Sequence, residues 1–544
     1  MERDKADAKV HERLAVLVVH GVGEQGCYEH LEAIAANIKQ ALTLDERAVH
    51  AELHYADNTP RLSPEHGWRD SPVTLRWCRP DGRLMELMFR EAHWADLDIP
   101  NTYWNWIRLV GWSLSSPGVR LFKSSKAGTP ESRQMRAPSP TTLRKRLRIR
   151  LELFLVSLSF LLLLATIGVA DQILRRLSWR LPLLTRILRL IYDYLGDVKL
   201  YQDWFLRKDE RLEVIGQKSR VAIRRRMNRA LIQTAAEVER GELDGFYVIA
   251  HSLGTVVAFN GIMESGLSLP HHLSEEEWLH LPSGLKGSVR RALPEWLASG
   301  RPPWLDGGES WHDKEVRDRD LIVRSQLLAG MRGFLTLGSP LDKFAALWPE
   351  IVLINEEEPD HRVQWINVAD VQDIVGGKIN FIRPAESSGS VGGLELKKEN
   401  NFRWSDQLHP GTAHTSYWKS KKTKQSKPRL VNGVIDWLEG GEFTPPLSAR
   451  PNWVSWIIFA FISITAFVVL LFALASMLWG ATTLLGGMAG IDVAGMLVHL
   501  TGLSHDGNTL SILRIIALGL LVVGAMTVSL CSVIRWIWEW RKFG

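Results

Sequence analysis

Apolar residues fall along this chain in two patterns, short runs closed by turn residues and long stretches with few interruptions. Residues 14–20 (LAVLVVH) form a continuous, β-branched run closed by Gly21, as in a strand buried on both faces. The runs 246–250, 333–337 and 363–368 have the same character. Ahead of the second of these strands, Ile223, Met227, Leu231 and Ala235 recur at helical spacing through a basic, polar segment. Strands alternating with helices predict an α/β fold, a mostly parallel sheet with helices on both faces.

The long stretches are 153–170, 453–479 and 515–537. Each approaches or exceeds the roughly 20 apolar residues that span a bilayer core. The stretch 453–479 has no charged residue, 515–537 has only Arg535 near its end, and both carry tryptophan near an end, as at a membrane interface. Both are expected to be transmembrane helices. Between them, 480–503 is glycine-rich and contains Asp492, which fits a loop, a re-entrant segment or a further span. The stretch 153–170 has arginines on both sides, which argues against a single crossing. Either 181–195 returns as the second arm of a hairpin, or the region lies in the interface with Arg186 and Arg189 outward, or it is a buried core helix.

This patterning divides the chain into 1–140, the first part of an α/β domain; 141–200, a membrane-associated hairpin or interfacial segment; 201–445, the second part; and 446–544, a C-terminal transmembrane region. Within the second part, 265–320 holds Trp278, Trp296, Trp304 and Trp311 and is longer than most connections, so it reads as a lid or as a solvent-facing insertion.

Charge adds a location. Lys and Arg exceed Asp and Glu by 66 − 60 = +6, and the basic runs 144–150 and 535–542 flank apolar stretches. That placement suits anionic lipid headgroups and argues against nucleic acid as a partner. The three cysteines, Cys27, Cys78 and Cys531, form neither a disulfide framework nor zinc-ligand spacing. The charged N-terminal residues lack the apolar core of a secretory signal, so a reducing, cytoplasmic setting is expected.

The strongest chemical signal is Val248-Ile249-Ala250-His251-Ser252-Leu253-Gly254, where an apolar strand gives way to a helix-compatible segment. A turn tight enough to lift the Ser252 hydroxyl above a sheet needs small residues two before and two after it, and Ala250 and Gly254 stand there. The alternative is a serine capping a helix. The second signal is His20-Gly21-Val22-Gly23-Glu24, directly after the first strand, where glycines let backbone approach a substrate closely. Residues 21–26 also fit the GxGxxG dinucleotide fingerprint, with Asp45 or Glu52 in the place of the ribose-binding acid.

These two motifs, with Thr336-Leu337-Gly338-Ser339-Pro340 and a downstream histidine, resemble lipase- or esterase-type α/β hydrolases over 14–418 in scattered motifs. The resemblance implies Ser252 as nucleophile and backbone N–H groups of Val22 and Leu253 as the oxyanion hole, with Gly21, Gly23 and His251 beside the substrate. It also implies the chain order nucleophile, acid, histidine. Asp373 fits the acid, with Asp370 as the alternate. His414, in Ala413-His414-Thr415-Ser416-Tyr417-Trp418, fits the base, with His409 as the alternate. The expected protein is an integral membrane serine hydrolase of hydrolase-type fold, its catalytic part on the cytoplasmic side, cleaving an ester of a lipid or other apolar acyl group. Membrane lipids are its partners, and it needs no metal or cofactor. Transacylation by the same residues, a non-catalytic interaction protein on the same scaffold and a dinucleotide-binding protein are the alternatives.

Overall fold

The strand patterns converge on one sheet in a computed structural model. It describes residues 12–21, 28–44, 47–55, 73–95, 198, 199, 201, 219–288, 320–347, 351–355, 359, 361–373, 375–380, 390–407, 413–418, 429–446, 448, 450–458, 460 and 461. In chain order the strands are β1 (Glu12–Val19), β2 (His50–Tyr55), β3 (Val73–Cys78), β4 (Leu84–Glu91), β5 (Gly245–His251), β6 (Lys286–Ser288), β7 (Asp320–Ile322), β8 (Met331–Leu337), β9 (Val363–Asp370), β10 (Ser390–Val391), β11 (Leu394–Glu395) and β12 (Asn401–Trp404). Ten of them form one sheet, ordered β10-β11-β9-β8-β5-β1-β4-β3-β2 with β12 also on β9, while β6 and β7 pair separately.

The apolar runs occupy the middle of this sheet because they have no polar face to turn to water. From Leu14 to Val19, β1 is fully buried, and its parallel neighbours are β4 and β5. β5 continues in parallel to β8, and β8 to β9. Alternate residues point to opposite faces. Leu14, Val16 and Val18 share a core with Leu31, Ile34 and Ile38 of helix α1 (Glu29–Leu44) and with Val434, Ile435 and Trp437 of a C-terminal helix at Arg429–Leu438. Helices α2 (Ser219–Glu239) and α3 (Leu253–Ile262) pack on each other and on β1 and β5. The helical spacing of Ile223, Met227 and Leu231 puts all three at 0% exposure on α2. A buried network, Arg224 to Glu264 with Asn228 and Ser268 on the same carboxylate, ties α2 to the segment after α3.

The expected fold class needs correction on two counts. The sheet is mixed, not mostly parallel: β2-β3 and β3-β4 are antiparallel at one edge and β10-β11 at the other. The cause at β3-β4 lies in Arg79-Pro80-Asp81-Gly82-Arg83, too short to cross over and return in parallel. Proline and aspartate favour a tight turn there, and Gly82 takes φ +84°, with its N–H donating to the Arg79 carbonyl at 2.9 Å. Second, among the described residues no helix is long and apolar enough to cross a membrane. The expected transmembrane helices fall on residues outside the described ones, apart from the first residues of 453–479, and so does the hairpin or interfacial reading of 153–195.

Residues 265–288 of the lid region pack against α2. Arg229 of α2 donates to Glu277 at 2.6 Å, and a capping box at Ser274 starts the short helix that carries Glu277. Residues 289–319, with Trp296, Trp304 and Trp311, lie outside the described residues.

Candidate active site

β5 ends at His251, and Ser252 turns the chain straight into α3 with φ +56° and ψ −132°. A positive φ on a residue with a side chain is strained and persists only where the surroundings hold it. Here the Ser252 N–H donates to the Leu337 carbonyl at 3.0 Å, and its own carbonyl accepts from the Thr255 hydroxyl at 2.7 Å. Space is equally tight. A Cβ at Gly21 would lie 2.5 Å from the Ser252 Cβ, and one at Gly254 would collide with the carbonyls of Val19 and His20. Only glycine fits at both positions.

Three buried side chains then line up, Ser252 after β5, Asp373 after β9 and His414 from the segment 413–418. His414 Nε2 lies 2.6 Å from Ser252 Oγ, and His414 Nδ1 lies 2.9 Å and 3.0 Å from the two oxygens of Asp373. Facing a carboxylate, Nδ1 carries the proton, which leaves the Nε2 lone pair for the serine hydroxyl. Asp373 follows β9 in a tight loop whose N–H groups at Val375 and Gly376 both donate to Oδ1 at 2.8 Å. Tyr417 donates its hydroxyl to Oδ2 at 2.7 Å. Burial opposes the charge on Asp373. Proximity to His414 and the donors at His414, Gly376 and Tyr417 outweigh it and hold the carboxyl well below the usual carboxylate range.

The alternate acid serves a different purpose. Asp370 accepts from the N–H groups of Gln372, Asp406 and Gln407, at 2.8, 3.0 and 3.2 Å, and so clamps the segment that leads toward the histidine loop. Burial raises its pKa, against the pull of those three donors. His251, expected beside substrate, donates from Nε2 to the His414 carbonyl at 2.7 Å, and burial followed by the neighbouring His414 and His30 keeps it neutral. Leu253 opens α3, so its N–H has no carbonyl one turn earlier to reach and is available beside Ser252. Val22, Gly23, Asp45 and the alternate base His409 lie outside the described residues, as does most of the GxGxxG stretch. Glu52 sits on the edge strand β2 near His50 and His54.

Two glycines shape the acid's seat, Gly338 of the motif at 336–340 and Gly376, which no motif singled out. Gly338 has φ +58°, and a Cβ on it would lie 2.7 Å from Asp373 Oδ2 and 3.2 Å from His414 Nδ1. One on Gly376 would lie 2.6 Å from the same oxygen. Gly338→Ala is expected to displace the carboxylate and lower ester turnover by about 10²-fold, the usual penalty of misplacing a reacting group by about 1 Å. Steady-state kinetics beside an unchanged urea midpoint would separate this from unfolding.

His20, Glu91 and His93 gather their ligand atoms within 4.8 Å at the ends of β1 and β4, a donor set of the kind that holds a transition metal. Both ring nitrogens of His20 are already engaged: Nδ1 donates to the Gly21 carbonyl at 2.8 Å, and Nε2 accepts the Trp94 N–H at 3.0 Å. An ion would have to displace Trp94, so the trio fits better as a brace for the glycine loop. No protein-family model matches this chain, and no curated protein and no solved structure is similar enough to it to count as a match.

Proposed function

We propose that this chain is a serine hydrolase that cleaves an ester bond through an acyl-enzyme. The observation that carries the reading is the continuous relay from Ser252 Oγ to His414 Nε2 at 2.6 Å and from His414 Nδ1 to Asp373 at 2.9 Å. As Ser252 attacks the carbonyl, His414 takes its proton on Nε2, and Asp373 offsets the imidazolium charge without accepting a proton itself. The Leu253 N–H, and that of Val22 by the sequence reading, would hold the oxyanion, where one donor is typically worth about 10²–10³ in rate. His414 returns the proton to the leaving alcohol, and water, activated by the same imidazole, then releases the acid. An alcohol or amine arriving before water would make the same residues a transacylase.

An apolar acyl substrate and a membrane location, with the site on the cytoplasmic side, belong to the same proposal. They rest on the apolar stretches and the basic runs that border them. Extraction of membranes with alkaline carbonate tests the location: the chain is expected to stay in the pellet, and its release into the supernatant would overturn the membrane part alone. For the chemistry, a fluorophosphonate probe should label wild type and fail to label Ser252→Ala and His414→Ala. Labelling that survives Ser252→Ala, or a folded wild type that takes no probe, would remove the hydrolase reading in favour of the scaffold as an interaction protein.

A further inference from the structure

Tyr417 has no part in the proton relay, yet its side chain is hydrogen-bonded directly to the acid of that relay. Its hydroxyl accepts the Asp370 N–H at 2.9 Å and lies 2.7 Å from Asp373 Oδ2. A phenol with its lone pair taken by an N–H has one proton to give, and here a carboxylate oxygen is the only acceptor in that contact. The bond therefore runs from tyrosine to aspartate, charge-assisted and among the stronger hydrogen bonds available.

The position of the ring is also fixed. It is 3% exposed, lies edge-on to His251 at a centroid distance of 5.7 Å and tilted against Trp404 at 6.1 Å, and borders the space that Gly338 leaves open. Burial, followed by the adjacent Asp373 charge, raises the Tyr417 pKa, so the hydroxyl keeps its proton. The two oxygens of Asp373 are thus divided. Oδ1 takes the N–H groups of Val375 and Gly376, and Oδ2 takes Tyr417 and shares His414.

We infer that Tyr417 is a positioning residue for the hydrolytic reaction, which acts on His414 through Asp373 by fixing the carboxylate's rotation and drawing off part of its charge. This rests on the proposed hydrolase reading. Tyr417 fixes the distance and direction of the second link in the relay, and it tempers how strongly the carboxylate holds a proton on the imidazole. His414 and Tyr417 come from one short segment, three residues apart, so the loop that supplies the base also supplies the anchor of its acid.

The test is a double-mutant cycle with pH profiles on an activated ester. Tyr417→Phe should lower kcat about 10-fold with KM held within about twofold, because the loss is in positioning and not in substrate binding. With the phenol gone, the carboxylate keeps more of its charge for the imidazole, and the acid limb of the kcat/KM profile should move up by about 0.5–1 unit. In an Asp373→Asn background the same change should cost less than about twofold, since its route of action is already removed. Site-specific 3-fluorotyrosine at 417 keeps the shape and makes a stronger donor, and the limb should then move down. This second arm holds even if the phenylalanine variant, which leaves the Asp370 N–H without its acceptor, does not fold. A limb that stays in place with fluorotyrosine, or a 10-fold loss that persists undiminished in the Asn background, would overturn the inference. Wild type that labels and turns over ester while the Tyr417 variants match it would sink this inference and leave the hydrolase reading standing; wild type that takes no probe would remove both.

Discussion

Alanine at Ser252, alanine at His414 and alanine at both should lower kcat/KM for an ester by nearly the same factor, on the order of 10⁶. The expectation follows from the 2.6 Å contact between Oγ and Nε2. A serine hydroxyl without its base is a poor nucleophile, and a base without its nucleophile has no proton to take, so either loss alone disables the pair and the second adds little. Asp373→Asn should cost less, about 10⁴, because the amide turns a donor toward Nδ1 and favours the wrong imidazole tautomer while the nucleophile stays in place. What survives in all of these variants is oxyanion stabilisation and binding, which do not need the relay. Rate constants for the two single variants and the double variant decide the matter. If the double loss equals the product of the single losses, Ser252 and His414 act separately, and the 2.6 Å contact is packing.

Local patterns in the sequence were enough to place the central strands and the elbow, because both depend on neighbours in the chain. A strand covered on both faces must be apolar throughout, and 14–20 is; the strand forms at Glu12–Val19. The elbow needs small residues two positions either side of the serine, and Ala250 and Gly254 sit there in an unbroken strand-to-helix passage. The antiparallel flank was missed although it too is local. Residues 73–78 alternate buried and partly exposed positions in the manner of a half-covered strand, and the Pro80-Asp81-Gly82 turn marks the reversal.

The choice between Asp370 and Asp373 was of another kind. Asp370 ends β9 and Asp373 lies three residues past it, and what separates their roles is what reaches their oxygens. Asp370 is filled by N–H groups from residues 406 and 407, whereas Asp373 meets His414 and Tyr417. Those contacts join segments more than 30 residues apart, and no spacing along the chain encodes them. The same holds for His251, whose place before the serine suggested contact with substrate. Its Nε2 reaches the backbone of the base, 163 residues further along the chain.

Glutamine at position 91 should stabilise the folded protein by roughly 3 kcal/mol at pH 8 and by almost nothing at pH 4. Glu91 ends β4 with its side chain fully buried, and it accepts the Tyr28 N–H on Oε2 at 2.6 Å. Its Oε1 meets no donor among the described residues. Burial, partly offset by the Tyr28 hydrogen bond and reinforced by Glu29, pushes this carboxyl from its ordinary 4.5 up to about 7. A carboxyl with a raised folded-state pKa binds more protons folded than unfolded between those two values, so stability falls as pH rises from 4.5 toward 7 and stays lowered above. Facing groups modulate this: His93 Nδ1 lies 3.8 Å from Oε2, His20 packs 5.0 Å from the His93 ring, and a charged His93 would soften the fall at the acid end of the window. Glutamine has the shape of the protonated acid, keeps an oxygen for Tyr28 and never ionises, so the variant should hold across that window the stability that wild type keeps only at its acid end. Urea midpoints for both proteins between pH 4 and 8 would diverge progressively above about pH 5 if Glu91 behaves this way. Parallel curves would mean that the folded carboxyl ionises as easily as it does in the unfolded chain, and that His20, Glu91 and His93 together relieve the burial.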